Sequence, residues 1–342
     1  PAKAAQVDAV MAVVAERRIT FDAPVQTGVG IGEGWIAVGL RGGRLGLVHT
    51  DGTSRHVREL PGLRAVDSTP VVQGGRVFFA SNENTVECIA LEGTAGVAGW
   101  SMAIGGGAAT ELMVADGRVA VVDRSGVLHC WEQANGHEVW SVSLDAPPSG
   151  PPTIDRRQIH VGTVDGRVLV FDAVDGRSRN VLKSPVGLTT RVLAERGQLF
   201  FGGADGNVRC FDVEQGRVLW VVSTGQAPTD GQLALGRNTV LAVGADKKLF
   251  AIDRTSGSIV GQAQLDGDVQ HGLRLRGNRL LVQVRRPKVR SQPMRDVLIA
   301  YQGDSLALLW EYSQDGTSPG MAGLDDFLIA LPATTGELVL FR

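Results

Sequence analysis

A glycine that returns about every 41 residues constrains this chain more than any other feature of its 342 residues. From Asp165 to Gly176 the chain reads Asp-Gly-Arg-Val-Leu-Val-Phe-Asp-Ala-Val-Asp-Gly, and from Asp205 to Gly216 it reads Asp-Gly-Asn-Val-Arg-Cys-Phe-Asp-Val-Glu-Gln-Gly. Two further copies run from Ser125 to Gly136 and from Asp246 to Gly257, the second with a degraded first turn. The closing glycines fall at Gly52, Gly93, Gly136, Gly176, Gly216, Gly257 and Gly303, in steps of 41, 43, 40, 40, 41 and 46 residues. Asp-Gly and Gln-Gly pairs between runs of β-branched and aromatic residues signal tight turns between short strands. In the unit 188–225 the pattern predicts four strands: Leu188–Ala194, Gln198–Gly202, Asn207–Val213 and Arg217–Thr224.

Four antiparallel strands cannot bury both of their faces alone. Copies stacked around an axis bury them against one another, and a period of about 40–45 residues is that of a β-propeller. Closing the ring is expected to remove the open edges that a flat sheet must protect. Seven glycines mark seven periods, and residues 317–342 add three strands without a fourth. Arg17–Pro24 resembles a fourth strand (compare Leu219–Pro228), so the last blade is shared between the two ends of the chain. The expectation is an all-β, eight-bladed propeller of four-stranded blades over residues 17–342, closed by the N-terminal strand. Seven blades is the alternative, because 28–62 is weakly marked. Residues 1–16 form an extension in which Ala2–Glu16 has the only helical periodicity, predicting one short helix.

Charge and composition narrow the function. The 34 Lys and Arg against 36 Asp and Glu leave no global field to hold nucleic acid or anionic lipid. No apolar run is long enough to cross a membrane as a helix. Cys88, Cys130 and Cys210 are too few and too scattered for a disulfide framework, which leans toward a reducing, cytoplasmic compartment and leaves the periplasm open. The sequence opens on Pro1, which reads as a trimmed or processed form.

The copies resemble the PQQ-type repeat of quinoprotein-like propellers, whose pattern is roughly Ala-x-Asp-x-x-Thr-Gly-x-x-x-Trp. Trp131–Trp140, Phe211–Trp220 and Ser305–Trp310 match its glycine or tryptophan, and Trp100 stands four residues after Gly96. The resemblance spans nearly the whole chain. It implies that these tryptophans dock between neighbouring blades, with Arg179 and Val260 standing in their place in two others. One branch of the family, the dehydrogenases, binds PQQ and calcium on the axis, and its typical adjacent-cysteine pair is missing here. The other, BamB-like branch is non-catalytic and serves outer-membrane protein assembly.

Signals of chemistry are weak beside this. Gly316-Thr-Ser-Pro-Gly320 fits G-x-S-x-G but is placed in a loop before a strand, where a nucleophile elbow needs a following helix. His49, His56, His129, His137, His160 and His271 contain no pair at ligand spacing, so no metal site is expected. Cys88, Cys130 and Cys210 share a repeat position with Val170, Ala251 and Leu340, which makes it a packing position. Asp172, Asp212 and Asp253 precede turns and are expected to cap them.

The least regular segment is Arg285–Arg295, rich in Arg and Lys with two prolines. Arg285, Arg286, Lys288, Arg290 and Arg295, with Lys247 and Lys248 of the preceding blade, form a candidate patch for an acidic protein partner. As exposed charges, the loop residues are expected to be replaceable by Ser with little effect on melting. The chain therefore reads as an interaction scaffold without catalytic residues or cofactor, binding unidentified protein partners in a bacterial assembly. A BamB-like assembly factor and a PQQ-dependent dehydrogenase relative are the alternatives.

Overall fold

The computed structural model describes residues 11–12, 16–51, 55–60, 65–91, 99–229, 231–287, 295–314, 317–326 and 328–341. They form eight antiparallel sheets of four strands, with one 3-10 turn at Ala245–Lys247 and a two-residue strand, Met11–Ala12, added outside. Blades 1 to 7 span 25–59, 71–103, 113–143, 153–183, 193–223, 233–264 and 268–313. Blade 8 takes three strands from 323–341 and its fourth from Arg17–Thr20, which pairs antiparallel with Glu337–Phe341. The eight-bladed expectation and its shared last blade both hold. Of the helix expected over Ala2–Glu16, residues 2–10 and 13–15 lie outside the described residues; Met11–Ala12 is a strand, paired in parallel with Trp310 and Glu311.

First strands of neighbouring blades touch around the axis, and fourth strands lie outermost. The apolar core is divided into eight clusters, each shared by two adjacent blades. The first strand of blade 5 is shorter than predicted, Leu193–Glu195, with Leu188 in an isolated bridge. Its ladder is broken where the Gly202 amide donates instead to Thr190 Oγ1, at 2.9 Å. Gly39 to Thr27, Ala80 to Ser68 and Val122 to Thr110 repeat that substitution in three other blades.

Indole docking explains the period. The Nε1–H of Trp100, Trp140 and Trp220 donates to the carbonyls of Gln133, Ala173 and Arg254 in the next blade, at 3.2, 3.3 and 2.8 Å. Each ring lies on that blade's turn glycine: a Cβ on Gly136, Gly176 or Gly257 would sit 2.6–2.7 Å from it. These glycines also have φ of 70–73°, a region that side chains with a Cβ disfavour. Strand register corrects two assignments. Val170 pairs with Asn180 and Ala251 with Gly261, as Cys130 pairs with Trp140, so Asn180 and Gly261 hold the tryptophan position rather than Arg179 and Val260. In blade 7 the turn residue is Leu306 (φ 56°), whose amide donates to Gln302 O, and not Gly303. Gly261 leaves room there, and the Leu306 side chain is buried in the core shared with blade 6.

All three thiols are free and buried, each cross-strand from a docking tryptophan, and burial pushes each up to about 12. Asp172, Asp212 and Asp253 accept turn amides at 2.8 Å from Val174, Gln215 and Ser256, as expected of caps. His129 packs in its strand, stacked on Trp131 and bonded to Asp123 at 2.9 Å.

His160 is different. It occupies the place held by Phe78 and Phe200 in other blades, is 1% exposed, and makes no hydrogen bond of good geometry at either ring nitrogen, with the Thr153 backbone as its polar neighbour. Burial lowers its pKa to about 4, partly offset by Asp155 and the Thr153 backbone. An unfolded histidine titrates near 6.5, so below that pH the unfolded chain binds the extra proton. Stability is expected to fall as pH drops from about 6.5 to 4, by roughly 3 kcal/mol, and to gain nothing above that window. His160→Leu, the residue type at Leu241, is expected to flatten that slope in urea melts at pH 4–7; an unchanged slope would refute the assignment.

Candidate functional site

Two surfaces remain once packing is accounted for: the axial channel and the outer rim. The channel has a volume of about 840 Å³ and is walled by the inner segments of seven blades. The hydroxyls that interrupt the inner ladders, such as Thr27 and Ser68, belong to this wall. Its charged groups are Asp67, Glu111, Arg191 and Arg274. Glu111 accepts from the Thr69 amide at 3.1 Å and joins the inner segments of blades 2 and 3. Enclosure by protein raises its pKa, while the Thr69 hydrogen bonds, Arg274 and Arg191 pull the other way. In blade 7 the wall bulges at His271 and Gly272, and a Cβ on Gly272 would lie 2.4 Å from Gly231 O.

Among the described residues no three His, Cys, Asp or Glu side chains converge on one point. The channel's donor set therefore does not fit a calcium ion with PQQ: one carboxylate is engaged by Thr69, and two arginines stand in its field. Ser318, of the G-x-S-x-G match, is buried and donates to Gly320 O at 2.7 Å, closing a turn.

The start of the basic segment is neutralised by its own fold. Arg285 forms a two-pronged ion pair with Asp296, at 2.7 and 3.0 Å, and Asp296 is 1% exposed. Asp296 Oδ2 also accepts from the Ser318 amide at 2.8 Å, tying blade 7 to the entry of blade 8. Arg286 bridges Asp266 and Glu311, and Lys247 meets Asp268 at 2.9 Å. Arg295 is half-buried opposite Arg286, and Lys248 is exposed. Lys288 and Arg290 lie outside the described residues. Arg285 is thus no surface charge replaceable by Ser, a correction developed below.

The rim is where the sequence expectation was incomplete. Ring closure packs the first strands together around the axis, while the fourth strand of each blade is the outermost of its sheet. Of the nine exposed large hydrophobic residues described, seven lie on these strands: Val57, Val181, Val221, Ile259, Val260, Leu308 and Leu309. The edge of blade 7 takes up Met11–Ala12 as a fifth strand. Sequence reasoning missed the rim because an alternating strand looks the same whether its outer face meets a neighbouring blade or water.

An eight-bladed ring whose tryptophans dock on the turn glycines of the next blade defines a propeller of the PQQ-repeat class. The chain belongs to the family described as outer membrane protein assembly factor BamB, whose pattern matches residues 87–193 and 204–341. Its fold is similar to that of BamB from Moraxella catarrhalis, at 14% identity, TM-score 0.75, and coverage of 96% of this chain and 99% of that one. It is also similar to Sqt1 of Saccharomyces cerevisiae, at 9% identity, TM-score 0.75, and coverage of 97% and 99%. The computationally designed protein Ika8 shares the fold at 14% identity and TM-score 0.70, with coverage of 94% and 97%. No curated protein sequence matches the chain.

Proposed function

We propose that the chain is a non-catalytic scaffold that presents its rim to protein partners in a bacterial assembly. The observation that carries this reading is the set of outer edge strands bearing exposed aliphatic side chains, one of which already accepts an added strand. Such edges bind extended segments through main-chain hydrogen bonds, with side-chain pockets supplying selectivity. The rim is favoured over the basic segment because Arg285, Arg286 and Lys247 are each paired with acids. Family membership supports a finer reading, in which the assembly is the one that builds outer-membrane proteins.

Tagged protein captured from the source cell tests both levels. Co-purification of envelope assembly proteins, with reduced outer-membrane barrel proteins on depletion, is the expected result. Partners without that depletion phenotype would leave a scaffold and remove the assembly role. Capture of no protein partner would remove both.

A further inference from the structure

We propose that the slot between blades 4 and 5 takes a tryptophan side chain presented by a partner protein; the idea rests on the scaffold reading and gives it a specific contact. At three blade junctions an indole from the preceding blade lies on the turn glycine and donates to the carbonyl three residues before it. Junction 4–5 keeps the receiving half and lacks the indole. Blade 4 offers Asn180 at that register, and its neighbour Arg179 turns back to Asp172 of its own blade at 2.6 Å. Gly216 retains its φ of 63°, yet a Cβ there would meet nothing within 4 Å. By the spacing at the filled junctions, the acceptor for a visiting indole is Val213 O. Among the described residues no side chain is seen to donate to it. Gly136 and Gly176 are buried under their tryptophans, whereas Gly216 is exposed.

The wall beside the slot is apolar. Val213 and Val218, on either side of the Gly216 turn, are partly buried against the core shared with blade 4, which holds the buried Phe201 and Phe211, and Val221, opposite Arg209, remains 51% exposed. The other described junctions are closed differently: Leu306 fills the space opposite Gly261, and Trp310 stacks on Phe341 at 5.8 Å. All six tryptophans of the sequence lie in strands of the ring, so none of them is the occupant, and the proposal assigns that role to a partner protein. Tryptophan suits the role chemically, since one side chain offers a large flat apolar face and a single N–H donor.

The test is a titration of ¹⁵N-labelled protein with N-acetyl-tryptophanamide, with N-acetyl-leucinamide as control. Shifts confined to the amides of Gln215, Gly216 and Arg217 are expected with the indole compound and not with the leucine one. Asn180→Trp, which supplies the missing ring from within, is expected to abolish the shifts and raise the melting temperature. Gly216→Asn, which tolerates the left-handed backbone and places a side chain in the slot, is expected to abolish them too. Absent shifts, shifts that survive in both variants, or an equal response to leucinamide would overturn the proposal. Those outcomes are independent of whether cellular partners are captured, so failure of the slot and failure of the scaffold reading are separable.

Discussion

Deletion of residues 1–24 is expected to abolish the single cooperative melt of the ring. Arg17–Thr20 is the outer strand of blade 8, and without it the strand Glu337–Phe341 loses one of its two partners and becomes an open edge. The strand also carries Ile19 and leads into Phe21, 8% and 5% exposed, in the core that joins blade 8 to blade 1. Phe21 covers Gly46, where a Cβ would lie 2.8 Å from its ring, and its amide donates to Gly336 O at 2.8 Å. Phe21→Ala alone is expected to cost about 3–5 kcal/mol, the range for removing a buried aromatic side chain. The deletion adds the loss of a full ladder and opens the ring between its first and last blades. Calorimetry reads the outcome, and a truncated chain melting with the parent's midpoint and enthalpy would contradict the shared blade.

Breaking the Arg285–Asp296 pair has the second-largest expected effect. Asp296 is 1% exposed and accepts from Arg285 and from the Ser318 amide. The guanidinium in turn is held charged by that carboxylate. Removing one member of a buried pair leaves an uncompensated charge, at about 3–5 kcal/mol, although replacing both with apolar residues is often close to neutral. Arg285→Ser is therefore expected to lower stability by that amount, while the joint Arg285→Met, Asp296→Leu variant recovers part of it. The recovery is incomplete because the Ser318 amide still loses its acceptor. Denaturant melts of the three proteins check this; a change below about 1 kcal/mol for Arg285→Ser would return it to the class of exposed charges.

The repeat made the fold legible because three of its turn glycines are read twice, once by their own hairpin and once by the tryptophan docking on them. Gly136, Gly176 and Gly257 serve both functions, and their spacing gave the blade period. Where docking is altered, the sequence misled. Gly303 stood nearest to the expected place, but Leu306 makes the turn because Gly261 leaves space for its side chain. Arg179 was the salient residue beside Asn180, yet a bulge where the third and fourth strands of blades 3 to 7 pair leaves Arg179 out of register and makes Asn180 the residue that faces the next blade. The basic segment stood out by composition, while the acids that pair with Arg285 and Arg286 lie elsewhere in the sequence pattern, Asp266 in the bend before the first strand of blade 7, Asp296 on its third strand and Glu311 on its fourth. The hydroxyl-bridged inner ladders and the lone buried His160 carried no signal at all, since Thr and His are unremarkable in a strand pattern.

Photo-crosslinking in the source cell tests the scaffold account most directly. A benzophenone amino acid would be placed in turn at Val221, Val260 and Leu309 on the rim, at Gln26 and Arg274 in the channel, and at Lys248 and Arg295 beside the basic segment. All of the rim positions are exposed aliphatic sites on fourth strands. The account predicts discrete protein adducts from the rim positions. Adducts confined to the channel or to the basic segment, with none from the rim, would contradict it.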